Sequence, residues 1–286
     1  MKIKESIGVK IFKVFNYILL SALALLCLYP FWHVVMASLS DSALLAKNIG
    51  LLLKPAGFSL EAYKIVLEEK TLYTGFLNTM ILLVVGIPLN MVLTCLGAYF
   101  FSRKNVYFKK TLFLFILITM YVHGGTIPFY LTLKDLHLTG SLWGVIIPAA
   151  LSTYNMIVMR TAFESIPDSL SEAARIDGAG HLTILFKIVL PLSKATFAVI
   201  AIYYGMSIWN SWFWASTILQ KESQLPLQSV LRNLLIVDEA SAAMGVTVKE
   251  TVKYATITVS LIPVLFIYPF MQKYFTKGVM IGGVKE

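Results

Sequence analysis

The stretch Thr71–Ser102 reads TLYTGFLNTMILLVVGIPLNMVLTCLGAYFFS and contains no Asp, Glu, Lys or Arg over its 32 residues. A helix needs only about 20 apolar residues to cross the hydrocarbon core of a bilayer. Because lipid offers no water to backbone N–H and C=O groups, a spanning segment has to satisfy these groups internally. The stretch therefore predicts a membrane-spanning α-helix.

Five further charge-free runs lie before and after this stretch, the shortest with 19 residues and the longest with 27. The wall of a β-barrel would instead alternate polar and apolar residues in segments of roughly 10. The sequence therefore predicts an all-α polytopic membrane protein, with one transmembrane domain over residues 1–286. Its six transmembrane helices are predicted at about 14–38, 73–101, 111–131, 138–160, 195–219 and 254–272. The first run is longer than the apolar core of a signal peptide, about 7–15 residues, so we interpret it as a retained span.

The composition agrees with this class and sets the orientation. Charged residues make up 14% of the chain, against about 25% in soluble domains, and the 13% aromatic content argues against disorder. With six spans, the side that carries both termini holds 15 of the 24 Lys and Arg residues and the whole net charge of +9. The positive-inside rule then places both termini in the cytoplasm. The basic excess is an orientation signal, and we expect contacts with membrane lipids and no nucleic-acid partner.

One mixed-charge segment, residues 161–194, lies on the predicted cytoplasmic side. Ser165-Ile166-Pro167-Asp168 is typical of a helix start, with Ser165 as a possible cap. A helix is predicted from Asp168 to Asp177, followed by Gly178 and Gly180 as stop signals and by a second apolar piece that ends at Pro191. Leu170, Ala173, Ala174 and Asp177 share one face by their spacing. Spacing alone leaves two possibilities: a helix lying on the membrane, or a helix that docks on a partner.

The segment Glu172-Ala173-Ala174-Arg175-Ile176-Asp177-Gly178-Ala179, followed by Phe186-Lys187-Ile188-Val189-Leu190-Pro191, resembles the EAA signature. This signature marks permease subunits of bacterial ATP-binding-cassette importers. The chain is most similar to the maltose-permease-like carbohydrate family, in its polysaccharide and oligosaccharide branch. The resemblance covers nearly the whole chain and includes Trp209-Asn210 and the tail from Gln272 to Lys285.

The resemblance implies a type I ABC importer permease fold in the bacterial cytoplasmic membrane, with a cytoplasmic coupling helix in the EAA segment. Two cytoplasmic ATPase subunits, a second homologous permease and an extracytoplasmic substrate-binding protein are the implied partners. The chain lacks the phosphate-binding Gly-x-x-x-x-Gly-Lys-[Ser/Thr] pattern. We therefore expect no enzymatic activity and no cofactor on this chain, with ATP and Mg bound by the ATPases. The residues implied in coupling are Glu172, Ala173, Ala174, Asp177, Gly178, Ala179, Leu190 and Pro191.

Within this segment the resemblance implies that Glu172 pairs with a basic residue of the ATPase and that Ala173 and Ala174 permit close docking. Leu190 and Pro191 would anchor the segment to the next span. For Asp177 and Gly178, a plain helix stop is as good an interpretation as direct contact.

Polar and aromatic residues inside the spans are candidates for the substrate pathway, since such groups in a membrane usually face a cavity or another helix. The candidates are Asn78, Asn90, Tyr121, His123, Asn155, Tyr203, Tyr204, Trp209 and Asn210. The asparagines are equally typical of hydrogen bonds between helices. For Trp209, Trp212 and Trp214 an aromatic belt at the membrane interface is the favoured interpretation. No metal-binding pattern accompanies these residues.

The outer segments, 41–70 and 221–253, are candidates for receiving the binding protein, and Ser59–Lys70 is predicted to hold a capped amphipathic helix. The alternative is that both segments are solvated loops. Three other functions stay open: an importer permease for a non-sugar solute, an ion-coupled secondary transporter, and an intramembrane enzyme. The last two are disfavoured because the runs carry no charged residue and the four histidines lie far apart in sequence.

Overall fold

The structure, a computed structural model, describes residues 6–48, 50–104, 106–234 and 250–283. These residues form helices and one isolated β-bridge, between Ser40 and Phe58. The chain divides into two compact units, one made of Met1–Glu69 and Leu234–Ile262, the other of Lys70–Asn233 and Pro263–Glu286.

The helices follow one another in this order: α1 Ile7–Ser38, α2 Ser42–Ala46, α3 Glu61–Glu68, α4 Lys70–Ser102, α5 Lys109–Tyr121, α6 Thr126–Asp135, α7 Trp143–Ile146, α8 Thr153–Glu164, α9 Asp168–Ile176, α10 His181–Ile184, α11 Leu190–Leu192, α12 Lys194–Trp209, α13 Trp212–Ile218, α14 residues 227–234, and α15 Glu250–Gly283. A π-helical turn, Leu185–Val189, joins α10 to α11, and a 3₁₀ turn, Glu222–Gln224, precedes α14.

The first unit begins with α1, whose most apolar window contains no residue that is buried among the described ones. An apolar helix surface of this kind suits contact with lipid. The segment after α1 is folded, because Leu45 and Leu52 pack with Ala37, and the hydroxyls of Ser38 and Tyr63 lie 2.7 Å apart. The helix predicted in Ser59–Lys70 is confirmed as α3, but its N-cap is Leu60, which makes no side-chain cap hydrogen bond, so the predicted cap by Ser59 was wrong. Ser59 lies one position earlier, where its Oγ accepts from the Glu61 amide at 3.3 Å.

The second unit is built around α4, which packs against α8 and α12. Its core joins the second half of α4 to α8 and to residues 184–204, and includes the fully buried side chains of Met159, Phe163 and Leu185. One tyrosine connects three elements: Tyr204 on α12 shares a 2.6 Å hydrogen bond with Thr94 on α4, and its hydroxyl accepts from the Ser152 amide, at the start of α8, at 2.9 Å.

Two described helices, α1 and α4, are long and apolar enough to cross a bilayer, and up to four spans result if each bent helix pair counts as one. The predicted run 111–131 is such a pair, since α5 and α6 meet at 115° around residues 122–125. Gly125 there has φ of 91°, a conformation that glycine adopts without steric cost.

Two more runs differ from the expectation of one unbroken helix. The run 138–160 contains α7 and α8, and Pro148 lies between them and cannot donate a backbone hydrogen bond. The run 195–219 contains α12 and α13, which are separated by Asn210 and Ser211. The total of six spans stays a prediction.

Candidate functional site

The helix α9 carries most of the predicted coupling residues, and it begins without a side-chain cap. Pro167 is the capping residue, and its extended conformation starts the helix at Asp168. The expectation that Ser165 caps α9 was wrong. Ser165 still belongs to the end of α8, where its amide donates to Thr161 O and its hydroxyl donates to Ala162 O at 2.8 Å.

The end of α9 is a Schellman motif. The Ala179 amide donates to Ala174 O at 2.8 Å, and the Gly178 amide donates to Arg175 O at 3.0 Å. Gly178 has φ of 83°, and a Cβ at this position would meet no atom within 4 Å. The backbone conformation, and not lack of space, therefore favours glycine here. This geometry is the helix stop that the sequence offered as one interpretation of Asp177 and Gly178.

The inner face of α9 is hydrogen-bonded to the residue that follows α4. Arg103 Nη1 donates to Ser171 Oγ at 3.1 Å, and Ser171 is buried. The same guanidinium lies over the Tyr99 ring at 4.6 Å from its centroid. Tyr99 and His181 also approach each other, with the hydroxyl 3.4 Å from Nδ1. The space among these groups, the α9 pocket, has a volume of about 480 Å³. Its lining consists of Tyr99, Phe100, Arg103, Lys104, Val106, Asp168, Ser171, Glu172, Arg175 and His181.

An exposed ion pair lies at the first turn of α9. Lys104 Nζ is 2.6 Å from Asp168 Oδ2. The hydrogen bond and the charge of Lys104 lower the pKa of the Asp168 carboxyl, and the same contact raises the pKa of Lys104. Since both groups are in solvent, the pair adds orientation to α9 more than stability.

The outer face of α9 is exposed among the described residues. Ala173 is exposed, and Ile176 keeps 87% of its surface in solvent. Glu172 is exposed at the edge of this face, where it also lines the α9 pocket. Ala174 and Ala179 instead pack against the core of the second unit. The two alanines of the signature therefore differ: Ala173 is exposed, whereas Ala174 packs against the core of its own chain.

The predicted anchor Leu190–Pro191 lies in a bent connection. The π turn and α11 lead to a bend of 89° between residues 181–192 and α12. The Ser193 amide at the bend donates to Val189 O at 3.1 Å. Leu190 packs against the core and Pro191 is exposed, so Leu190 makes the apolar contact that ties the connection to the second unit.

A second candidate site, the uncharged cavity, lies beside the middle of α4 and has a volume of about 370 Å³. Its lining consists of Leu82, Gly86, Asn90, Phe129, Gly144, Val145, Ile146, Pro148, Ala149, Ser207, Ile208, Asn210, Ser211, Trp214 and Ile218. Asn90 is 1% exposed, and its Oδ1 has no hydrogen-bond partner in the part of the chain that the structure describes. A buried amide oxygen without a partner is costly and uncommon.

Of the predicted pathway residues, the cavity brings together Asn90 and Asn210. Asn78 holds a loop, since its Nδ2 donates to Ser223 O at 2.8 Å and to Leu225 O at 3.2 Å. Tyr204 is buried in the hydrogen bonds described above. The others do not line the cavity: Tyr121, His123 and Tyr203 are exposed, Trp209 is partly exposed, and Asn155 is buried.

Sequence reasoning missed the two aromatic rings of the cavity. Phe129 and Trp214 pack edge to face with their centroids 4.5 Å apart, and both line the space. Trp214 was interpreted as part of an interfacial belt. No local sequence pattern distinguishes an aromatic ring that faces a cavity from one that faces lipid. Trp214 faces the cavity because α13 packs against α6, which is distant in sequence.

Comparison with known families gives a match over nearly the full length. Residues 10–281 match the family described as "Binding-protein-dependent transport system inner membrane component". The chain is 37% identical to the polygalacturonan/rhamnogalacturonan transport system permease protein YtcP of Bacillus subtilis, over 96% of this chain and 99% of YtcP. It is 33% identical to protein LplC of the same organism, over 96% of this chain and 95% of LplC.

Among solved structures, the chain is similar to one from a bacterial ABC transporter involved in the import of the acidic polysaccharide alginate. The match has a TM-score of 0.88 at 35% identity and covers 96% of this chain and 100% of the other. The helical arrangement described above is thus the one found in an importer of this class.

Proposed function

The chain belongs to the family of binding-protein-dependent transport system inner membrane components, and we propose that it is the permease subunit of an ATP-driven importer that carries an oligosaccharide or polysaccharide into the bacterial cytoplasm. The observation that carries this function is the full-length similarity, at 37% and 35% identity, to permeases whose names specify polygalacturonan/rhamnogalacturonan and alginate transport. The chain is a membrane protein of an ABC transporter family.

The energy for transport comes from partner subunits in this proposal. The sequence has no phosphate-binding Gly-rich loop of the ATPase type. Two cytoplasmic ATPases would bind ATP and Mg, and a second homologous permease would complete the translocation pathway. The family description supports a substrate-binding protein as the further partner, received by the outer segments 41–70 and 221–253. Of the second segment, residues 235–249 lie outside the described residues.

In the proposed topology six spans place both termini and α9 on the cytoplasmic side. The support is the distribution of Lys and Arg, of which 15 of 24 lie on that side. The bent pair α5–α6 would hold the third span, α12 and α13 would hold the fifth, and α15 would hold the last. Alternating access would then require α9 to transmit the motion of the ATPases to the spans.

We assign the coupling contact to the outer face of α9. Glu172 and Ala173 are exposed on a helix whose inner face is fixed by Arg103 and by the Ala174 packing. A helix held firmly on one side and free on the other can transmit force to the protein beneath it. Gly178 would set the end of this helix, and Leu190 would carry the motion to α12.

The test is uptake of labelled oligosaccharides by the assembled complex in liposomes that contain ATP. We expect Glu172→Arg to lower the uptake rate about 30-fold or more, the effect of reversing one partner of an interfacial charge pair. The amount of permease inserted in the membrane should not change. Asp135→Arg is the matched control, because Asp135 is also an exposed acidic residue near a helix end, on the predicted outer side.

Two results would contradict the proposed function. One is the absence of saccharide uptake by the wild-type complex with all its partners present. The other is full transport activity of the purified single chain without an ATPase. Equal uptake by Glu172→Arg and the wild type would remove the assigned coupling contact.

A further inference from the structure

A continuous series of polar contacts leads from α9 to the ends of three other helices of the second unit. We propose that this series, the α9 link, transmits the displacement of α9 to α4, α5 and α8, with Arg103 and Lys109 as its positioning residues; this inference rests on the proposed function. The members of the α9 link are Ser171, Arg103, Lys109, Glu164 and Arg160.

The first contact of the link joins α9 to the end of α4. The Arg103 guanidinium donates from Nη1 to Ser171 Oγ at 3.1 Å and from Nε to Ser102 Oγ at 3.2 Å. Ser171 and Ser102 are both buried, and Ser102 donates in turn to Tyr99 O at 2.8 Å. Two nitrogens of one planar group therefore hold a residue of α9 and the last residue of α4 at a set separation.

The second contact joins Arg103 to α5 and α8. Lys109, the first residue of α5, donates from Nζ to Arg103 O at 2.9 Å, and the same nitrogen lies 3.7 Å from Glu164 Oε1 at the end of α8. Glu164 Oε1 also accepts from Arg160 Nε at 2.8 Å, and the Arg160 guanidinium lies over the Phe113 ring of α5, 4.3 Å from its centroid. The ends of α5 and α8 are therefore connected to the residue that holds α9.

Burial distinguishes the α9 link from the other contact between α9 and the loop after α4. The side chains of Lys109 and Arg160 are each 21% exposed. Lys104 and Asp168, which also connect this loop to α9, are 82% and 46% exposed. Water and salt screen an exposed pair, whereas partly buried charges are screened less and are more costly to separate. The link therefore resists a displacement of α9 more strongly than the Lys104 pair does.

The link has a mechanical role in transport. When the ATPases move the outer face of α9, Ser171 moves with it. Breaking the contact with Arg103 would leave a buried hydroxyl without its donor, which is costly. Moving Arg103 together with α9 avoids this cost and carries the end of α4 and the contact with Lys109 along. Without the link, α9 would follow the ATPases while the spans stayed in place.

The experiment measures the number of saccharide molecules taken up per ATP hydrolysed, by the assembled complex in liposomes with saturating binding protein. Loss of folded complex lowers both rates together and leaves this ratio unchanged, whereas loss of the link lowers uptake alone. We expect Arg103→Gln to lower the ratio about 5- to 30-fold, toward the upper end of what one residue contributes to the coupling between two sites. Arg103→Lys, which keeps the charge and one donor, should give an intermediate ratio.

Two milder variants test the link if Arg103→Gln fails to assemble. Ser171→Ala removes the acceptor on α9, and Glu164→Gln removes the charge at the other end of the link while keeping its shape. We expect each to lower the ratio about two- to fivefold. The double variant Arg103→Gln/Ser171→Ala should match Arg103→Gln alone, because both changes remove the same contact.

Lys104→Gln is the matched control, because it removes a neighbouring basic residue that also contacts α9 but is exposed. Its ratio should stay within about twofold of the wild-type value. Three results would overturn the link: an unchanged ratio in Arg103→Gln or Glu164→Gln, an equal loss in Lys104→Gln, and losses that multiply in the double variant. Absence of saccharide uptake by the wild-type complex would instead overturn the proposed function, and the link with it.

Discussion

The α9 pocket and the uncharged cavity lie in the same unit and satisfy their polar groups in opposite ways. In the α9 pocket Arg103 donates to Ser171, and Lys104 pairs with Asp168. At the uncharged cavity the buried Asn90 Oδ1 has no hydrogen-bond partner among the described residues. The contacts of the α9 pocket hold α9 in one orientation, whereas the unpaired oxygen of Asn90 is a cost to the folded state.

The largest expected effect concerns the wall of the uncharged cavity. A Cβ on Gly144 would collide with the backbone oxygen of Leu138 and lie 2.8 Å from Ile218 Cγ2. A backbone carbonyl cannot rotate away as a side chain can, so we expect Gly144→Ala to cost about 3 kcal/mol or more in stability. The measurement is the melting temperature of the purified complex.

Gly205→Ala is the control for this change. Its Cβ would lie 3.5 Å from Ile87 Cδ1, an ordinary contact, and alanine favours a helix by about 1 kcal/mol over glycine. We expect this variant to melt at or above the wild-type temperature. Equal melting of Gly144→Ala and Gly205→Ala would show that the cavity wall is more deformable than its packing indicates.

The next effect is smaller and concerns the end of α9. Gly178→Ala has open space but must adopt φ of 83°, at a cost of about 1–2 kcal/mol. Asn tolerates this conformation better. We expect the Ala179 amide to exchange its hydrogen about 5- to 30-fold faster in Gly178→Ala and nearly at the wild-type rate in Gly178→Asn. Equal acceleration in both variants would contradict the assignment of the effect to the backbone conformation of Gly178.

The smallest effect concerns the Lys104–Asp168 pair. The lowered pKa of Asp168 means that its contribution is present above the ordinary pKa of the carboxyl and is lost as the pH falls through the lowered value. The raised pKa of Lys104 means that its contribution is lost only as the pH rises through the raised value. The pair is therefore intact between about pH 5 and 9.

We expect Asp168→Asn to change the uptake rate less than about twofold at physiological salt, since exposed pairs contribute little. The ratio of mutant to wild-type uptake should be constant from about pH 5 to 9. A ratio that changes several-fold within this interval would place another titrating group at the first turn of α9.

The sequence predicts local structure well where the determinants are local. Charge-free runs predict α1 and α4, and Gly178 after a run of helix formers predicts the end of α9. The predicted cap at Ser165 was wrong because a hydroxyl between two helices can bond to the end of the first or to the start of the second. In this chain the Ser165 hydroxyl donates to the carbonyl of Ala162, at the end of α8. The resemblance supplied the function, but it did not distinguish Ala173, which is exposed, from Ala174, which packs inward.

The bends and the cavity depend on contacts between distant parts of the chain. The angle of 115° between α5 and α6 is not encoded by the apolar composition of either helix. Trp214 lines the cavity because Phe129, 85 positions earlier in the chain, packs against it. Tyr204 was a candidate for substrate contact, and its hydroxyl is instead occupied by Thr94 and Ser152.

This last contact has a mechanical consequence. The Tyr204 hydroxyl is one point at which α4, the start of α8 and α12 meet. A shift of α12 against α4 breaks the hydrogen bond to Thr94, and a shift of α12 against the start of α8 breaks the one from the Ser152 amide. We therefore expect these three elements to move together, with the larger changes of angle at bends such as the 89° turn before α12.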